Sequence, residues 1–315
     1  MKSVSVCGPL RFAGIFLLSC GLDTHSPCIL QGVEFPTFIA SVDSILTTCV
    51  KFFVTAEVMS TPHSRKADGP LSLIPTPQTQ TGKNDPFIED ASQMALVHNM
   101  LIRAYNSIHL QATHVRAEDV TDFLHYCSAW HMTLKGHHDA EEEVYFPGIE
   151  KATGVQGIMD SEVHEHAAFS EGLQKFKDYV ESCLASPPSY SGHKLISIMD
   201  TFGEILATHL AHEPPKMASL SQYGDFDPKP LSEQTANHSM KYMHVTNVLP
   251  MLWFNLDKEF EGGKWATFPA MPGPLKWVMI NILGSWQKNW WRFGSSGADG
   301  IQRELFCLSD EYSKK

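Results

Sequence analysis

The chain has 315 residues and 43% apolar content, enough for one large domain or two small ones. Lys and Arg number 24 against 35 Asp and Glu, a net charge of −11, which argues against a nucleic-acid partner. Seven scattered cysteines without a Cys-x-x-Cys favour free thiols over a disulfide framework or a structural zinc site.

In chain order, residues 1–86 read as an irregular N-terminal extension and linker. The apolar run Phe12–Leu18 behind Lys2 and Arg11 faintly resembles a secretory signal but is too short to span a bilayer. The expected compartment is therefore the cytoplasm, with secretion or organelle targeting left open. Residues 59–86, rich in Ser, Thr, Pro and Gly, read as a linker.

Four helical patterns follow within 87–220. The first covers about Glu89–Leu110, with Met94, His98, Leu101, Ile102, Tyr105 and Ile108 on its stripe. The second covers about Ala117–Phe146, closed by Pro147-Gly148. Its stripe steps through Phe123, Cys127, Trp130 and Leu134 directly to His137 and Glu141. The third covers about Gly157–Cys183 and carries His166. The fourth covers about Lys194–Glu213, carries His209 and ends at Pro214-Pro215.

A lone histidine on an apolar stripe is more often a satisfied core residue than a ligand. Here each of four consecutive helices carries one: His98, His137, His166 and His209. Two of them have a glutamate one turn on, as His137-x-x-x-Glu141 and His209-x-x-x-Glu213. An imidazole and a carboxylate on one helix face form a clip for a metal that prefers N and O donors. A carboxylate on a core stripe is costly without such a partner. The joint reading is an all-α fold, a four-helix bundle with a metal centre inside it. The step pattern puts His137 and Glu141 inward, and His138 and Glu142 about a third of a turn away. No Glu has a His at i+3, so the ferritin-like Glu-x-x-His signature is absent.

Over roughly residues 88–220, these motifs resemble the hemerythrin-like family of HHE cation-binding proteins. The carriers are His98 in Val97-His98-Asn99, His137-x-x-x-Glu141 before Phe146-Pro147, His166 before Phe169, and His209-x-x-x-Glu213. The resemblance implies an antiparallel four-helix bundle around two non-haem irons, other divalent metals being possible. His98, His137, His166 and His209 would be imidazole ligands, and Glu141 and Glu213 bridging carboxylates. The family pattern usually has a second histidine four residues after His166, where this chain has Ser170. That substitution implies an under-coordinated metal. His131 and His138 are candidates for supporting roles behind the ligands.

Residues 221–315 hold six of the seven tryptophans and read as an aromatic-rich extension covering the bundle. Association with a membrane surface is the alternative, weakened by the few basic residues there. The sequon Asn237-His238-Ser239 matters only in a secreted chain.

The leading functional reading is a non-haem iron protein that binds or senses O2, NO, peroxide or iron. A di-iron oxidase or peroxidase is the enzyme alternative. A bundle that has lost its metal and serves as an interaction module is a third. No nucleotide loop and no Ser/His/Asp arrangement is legible.

Overall fold

The computed structural model describes residues 66–242 and 244–314. The signal-like run lies outside them. Among the described residues there is no strand, only an isolated bridge between Ser296 and Gln302. No helix there is long and apolar enough to cross a membrane.

A short helix, α1 (Pro77–Thr81), precedes the long α2 (Pro86–Gln111). Asp85 caps α2 by accepting from the amides of Phe87 and Ile88, and Pro86 sits where no helical N–H is needed. Next comes α3 (Val120–Ala140), continued by a π turn (Glu141–Tyr145) into α4 (Phe146–Thr153). Then follow α5 (Asp160–Ala185), α6 (Gly192–Asp200) and α7 (Gly203–Ser219). Helix α2 packs on α3 and α7, and α5 packs on the same two.

Two predicted helix ends move, both at prolines. The second helix does not stop at Pro147-Gly148 but runs on to Thr153, where Gly154 closes it in the left-handed region. An internal proline lacks the N–H for the i−4 carbonyl and collides with it. The wider turn just before Pro147, in which the Phe146 amide bonds the Glu141 carbonyl, relaxes that conflict. The fourth helix breaks at Thr201-Phe202 and then runs through Pro214-Pro215 to Ser219. Gly203 permits the break: a Cβ there would collide with the Tyr105 hydroxyl, which donates to the Met199 carbonyl at 2.9 Å.

One end of this helical layer is aromatic. Tyr105, Trp130, Phe176 and Phe202 come from α2, α3, α5 and the α6–α7 junction, with ring centroids 5.1–6.4 Å apart. Trp130 and Phe202 are fully buried, and the Trp130 ring N–H reaches the Leu101 carbonyl.

The predicted linker meets a different arrangement over its described part, 66–86. Leu71 and Ile74 are buried, and their backbones pair with two amides of α2. Asn106 bonds the Leu71 amide and carbonyl at 2.9 and 2.8 Å, and Asn99 bonds those of Ile74 at 2.7 and 2.8 Å. Proline and serine content signalled irregular backbone, and two asparagines satisfy that backbone.

After α7 come α8 (Lys229–Tyr242), α9 (Val245–Trp253), α10 (Gly273–Val278), α11 (Lys288–Trp291) and α12 (Asp310–Ser313). Helices α8, α9 and α11 lie on α3. Trp253, Trp291 and Phe293 are buried in the same core as Trp130, with the Phe293 ring 5.1 Å from that of Phe123. Trp277 and Trp286 are not: they remain 60% and 63% exposed. The aromatic segment therefore covers the helices with only part of its rings.

Candidate metal centre

The other end of the layer is polar and equally buried. His98 (α2), His137 and His138 (α3), Glu141 at the start of the π turn, His166 (α5), and His209 and Glu213 (α7) converge there. All are buried except His137, whose side chain is 16% exposed. Two ligand groups result, one of His98, His137, Glu141 and Glu213, the other of His138, Glu141, His166 and His209. Glu141 belongs to both. Glu213 joins only the first, so of the two expected bridging carboxylates one stands between the groups.

The tautomers follow from the outer partners. His98 Nδ1 lies 2.8 Å from the Leu210 carbonyl, which can only accept, so Nδ1 carries the proton. That carbonyl is free because Pro214, four residues on, has no N–H to offer it. His166 Nδ1 meets Glu142 at 2.7 Å and His209 Nδ1 meets Glu165 at 3.3 Å, again acceptors. The Nε2 lone pairs of all three therefore point inward. His98 Nε2 lies 3.1 Å from His137 Nε2, and His166 Nε2 lies 3.1 Å from His209 Nε2. At His166 and His209 two buried lone pairs face each other, and at that distance they repel unless a cation or proton stands between them.

The carboxylates have the complementary problem. Both oxygens of Glu141 and both of Glu213 are buried with no hydrogen-bond donor, as are both ring nitrogens of His138. Glu141 approaches His137 Nε2 at 3.0 Å and Glu213 approaches His98 Nε2 at 3.3 Å. These approaches are short, yet their geometry makes no hydrogen bond. Burial and the neighbouring Glu213 push the Glu141 carboxyl well above the usual range. Burial and surrounding imidazoles push His137, His138 and His209 well below theirs. Each group resists the charge it would need to satisfy the others, and a bound cation resolves the conflict. The donor set is imidazole and carboxylate without thiolate, which suits iron, manganese or zinc.

The structure corrects the sequence reading at two residues. His138 was placed off the interior face, and it faces inward, with ring centroids 4.4 Å from His166 and 5.0 Å from His209. The interior shared by four helices is wider than one stripe, so His137 and His138 straddle Glu141 at i−4 and i−3. Ser170, predicted to leave a vacancy, is exposed and donates to the Ala167 carbonyl. His138, from the neighbouring helix, is the fourth member of the group formed with Glu141, His166 and His209. His131 is buried, with its pKa lowered to about 4 by burial, and belongs to neither group. Glu162 and Glu165 form a further group with His209 that the sequence reading passed over. Their spacing to His166, four residues and one, was the available signal.

Residues 90–218 match the family profile described as the hemerythrin HHE cation-binding domain. A "Dimeric xanthone biosynthesis cluster protein R11" of Cryptosporiopsis sp. (strain 8999) is 31% identical over 250 residues, 78% of this chain and 94% of that protein. The chain belongs to the hemerythrin HHE family. No solved structure matches it. The HHE domain thus covers α2 to α7, and the alignment with the relative is long enough to extend well beyond it.

Proposed function

We propose that this HHE protein holds two metal ions, iron in the first instance, inside an antiparallel four-helix bundle made of α2, α3, α5 and α6–α7. His98, His137 and Glu213 would hold one ion, and His138, His166 and His209 the other, with Glu141 between them. The observation that carries this reading is the set of buried, orphaned Glu141 oxygens beside the inward imidazole nitrogens of His98, His166 and His209. Bound iron supplies redox chemistry toward O2, NO or peroxide. The chain's own part is to fix the imidazole tautomers through Leu210, Glu142 and Glu165, and to keep bulk water out. Metal content after aerobic purification, with an absorption spectrum from the near-ultraviolet to the visible, tests it. About two ions per chain is the expected result, and a metal-free chain that cannot be loaded overturns it.

The second reading is an enzyme of the di-iron oxidase type. It is favoured by the likeness to a relative whose name refers to a biosynthesis cluster. Turnover of peroxide or of an organic substrate, against simple ligand binding, separates the two.

A further inference from the structure

The C-terminal helices do more than cover the bundle. Between α8, α9 and the outer faces of α2 and α3 lies a cavity of about 260 Å³, and His137 and Glu141 form part of its wall. A diatomic needs roughly the volume of one water, about 30 Å³. The cavity is several times larger and approaches the range of small-molecule pockets, about 300–1,000 Å³.

Its chemistry is one-sided. Met94, Val97, Leu101, Val248, Leu252 and Phe268 line it, and no Lys or Arg does. Thioethers and a phenyl ring favour flat polarisable molecules. Without a cationic side chain the cavity has nothing to offset a carboxylate or phosphate. Among its polar groups, one acceptor is held by hydroxyls from two segments. Asp90 on α2 is 8% exposed and accepts from the Tyr145 hydroxyl at 2.8 Å and the Ser232 hydroxyl at 2.6 Å. Each oxygen keeps a lone pair for a further donor. Ser232 belongs to α8, so the segment outside the HHE domain completes this acceptor.

We infer that this cavity is a binding site for a neutral, flat hydroxyaromatic molecule, seated against His137 and Glu141 with its hydroxyl toward Asp90. What the molecule undergoes there rests on the metal-centre reading; its binding does not. The cavity wall is made of protein side chains, so the two ideas fail separately.

The test uses 2-naphthol as probe with the full chain, metal-free and metal-loaded, following probe fluorescence. Saturable binding is expected in both forms. Naphthalene-2-sulfonate, of like shape but charged, should bind at least tenfold more weakly. Ala236→Trp and Gln93→Trp each place a large ring at a wall residue exposed to solvent, and folding is checked by circular dichroism. Either should weaken 2-naphthol at least tenfold with metal content unchanged. Asp90→Asn should weaken 2-naphthol more than naphthalene. Absence of saturable binding, equal binding of the sulfonate, or binding unmoved in a folded Trp variant would each overturn the site. Normal 2-naphthol binding by a chain that takes up no metal would leave the site standing and remove the metal reading.

Discussion

The same four helical segments build two interiors of opposite kind. Toward one end, Tyr105, Trp130, Phe176 and Phe202 meet ring to ring, and every polar atom in contact has a partner, such as the Trp130 N–H on the Leu101 carbonyl. Toward the other, five imidazoles and two carboxylates meet at comparable burial with four carboxylate oxygens unpartnered. The first interior lowers the free energy of the fold by removing apolar area from water. The second raises it unless a cation is bound, because buried polar groups without partners cost about 1–3 kcal/mol each. Packing stabilises one end of the layer, and the other end carries the candidate metal ligands.

The largest effects should expose that division. Phe202→Ala or Trp130→Ala should cost about 3–5 kcal/mol in urea unfolding, with or without metal. Glu141→Leu should do the reverse in the metal-free chain, raising stability by about 1–3 kcal/mol while metal uptake collapses. A Glu141→Leu chain that is less stable without metal would show that the carboxylate has a protein partner after all.

The histidines sharpen the comparison next. His137→Ala and His138→Ala should each lower metal content, and Ser170→His should leave it unchanged, since Ser170 is exposed and the His166 group already holds His138. Metal per chain for the three variants, measured together, decides between the two faces of α3.

Sequence periodicity made the helices and most of this centre legible, and the exceptions have physical causes. The stripe from Phe123 to Glu141 identifies the buried carboxylate because apolar spacing and ligand spacing coincide on α3. His138 was missed because a stripe is a line, whereas the interior shared by four helices spans more than one line. Pro214 looked like a terminator, and it is what leaves the Leu210 carbonyl free for His98. On α2 the polar residues Asn99 and Asn106, seven apart, have the spacing of a solvated face, and Gln111 lies on another side of the helix. They are buried instead, holding the backbones of Leu71, Ile74 and Cys307. No periodicity distinguishes a polar face that meets water from one that meets another segment's backbone.

A smaller effect concerns pH in the metal-free chain. His131 falls from 6.5 unfolded to about 4 folded, and burial holds His137 and His138 below their ordinary value too. Between pH 6.5 and 4 the unfolded chain therefore binds more protons, so stability is fully present above pH 6.5 and drains as pH falls. Glu141, raised by burial, acts in the opposite sense as pH rises above its unfolded value of 4.5. Replacing His131 by Phe should flatten the acid side of the urea-midpoint profile and leave metal binding intact. The smallest effect belongs to Trp286, at 63% exposure: Trp286→Ser should change stability by less than about 0.5 kcal/mol.

The most direct test of the account is a titration of the metal-free chain with ferrous iron under anaerobic conditions, followed by the urea midpoint. A ligand that binds only the folded state stabilises it by mass action, about 2.7 kcal/mol at one hundred times its dissociation constant. The midpoint should rise steeply until about two equivalents have been added, one for each ligand group sharing Glu141, and only gradually beyond. A midpoint indifferent to iron, and equally to zinc and manganese, would mean that the buried carboxylates and imidazoles are not held by a cation, and the account would be wrong.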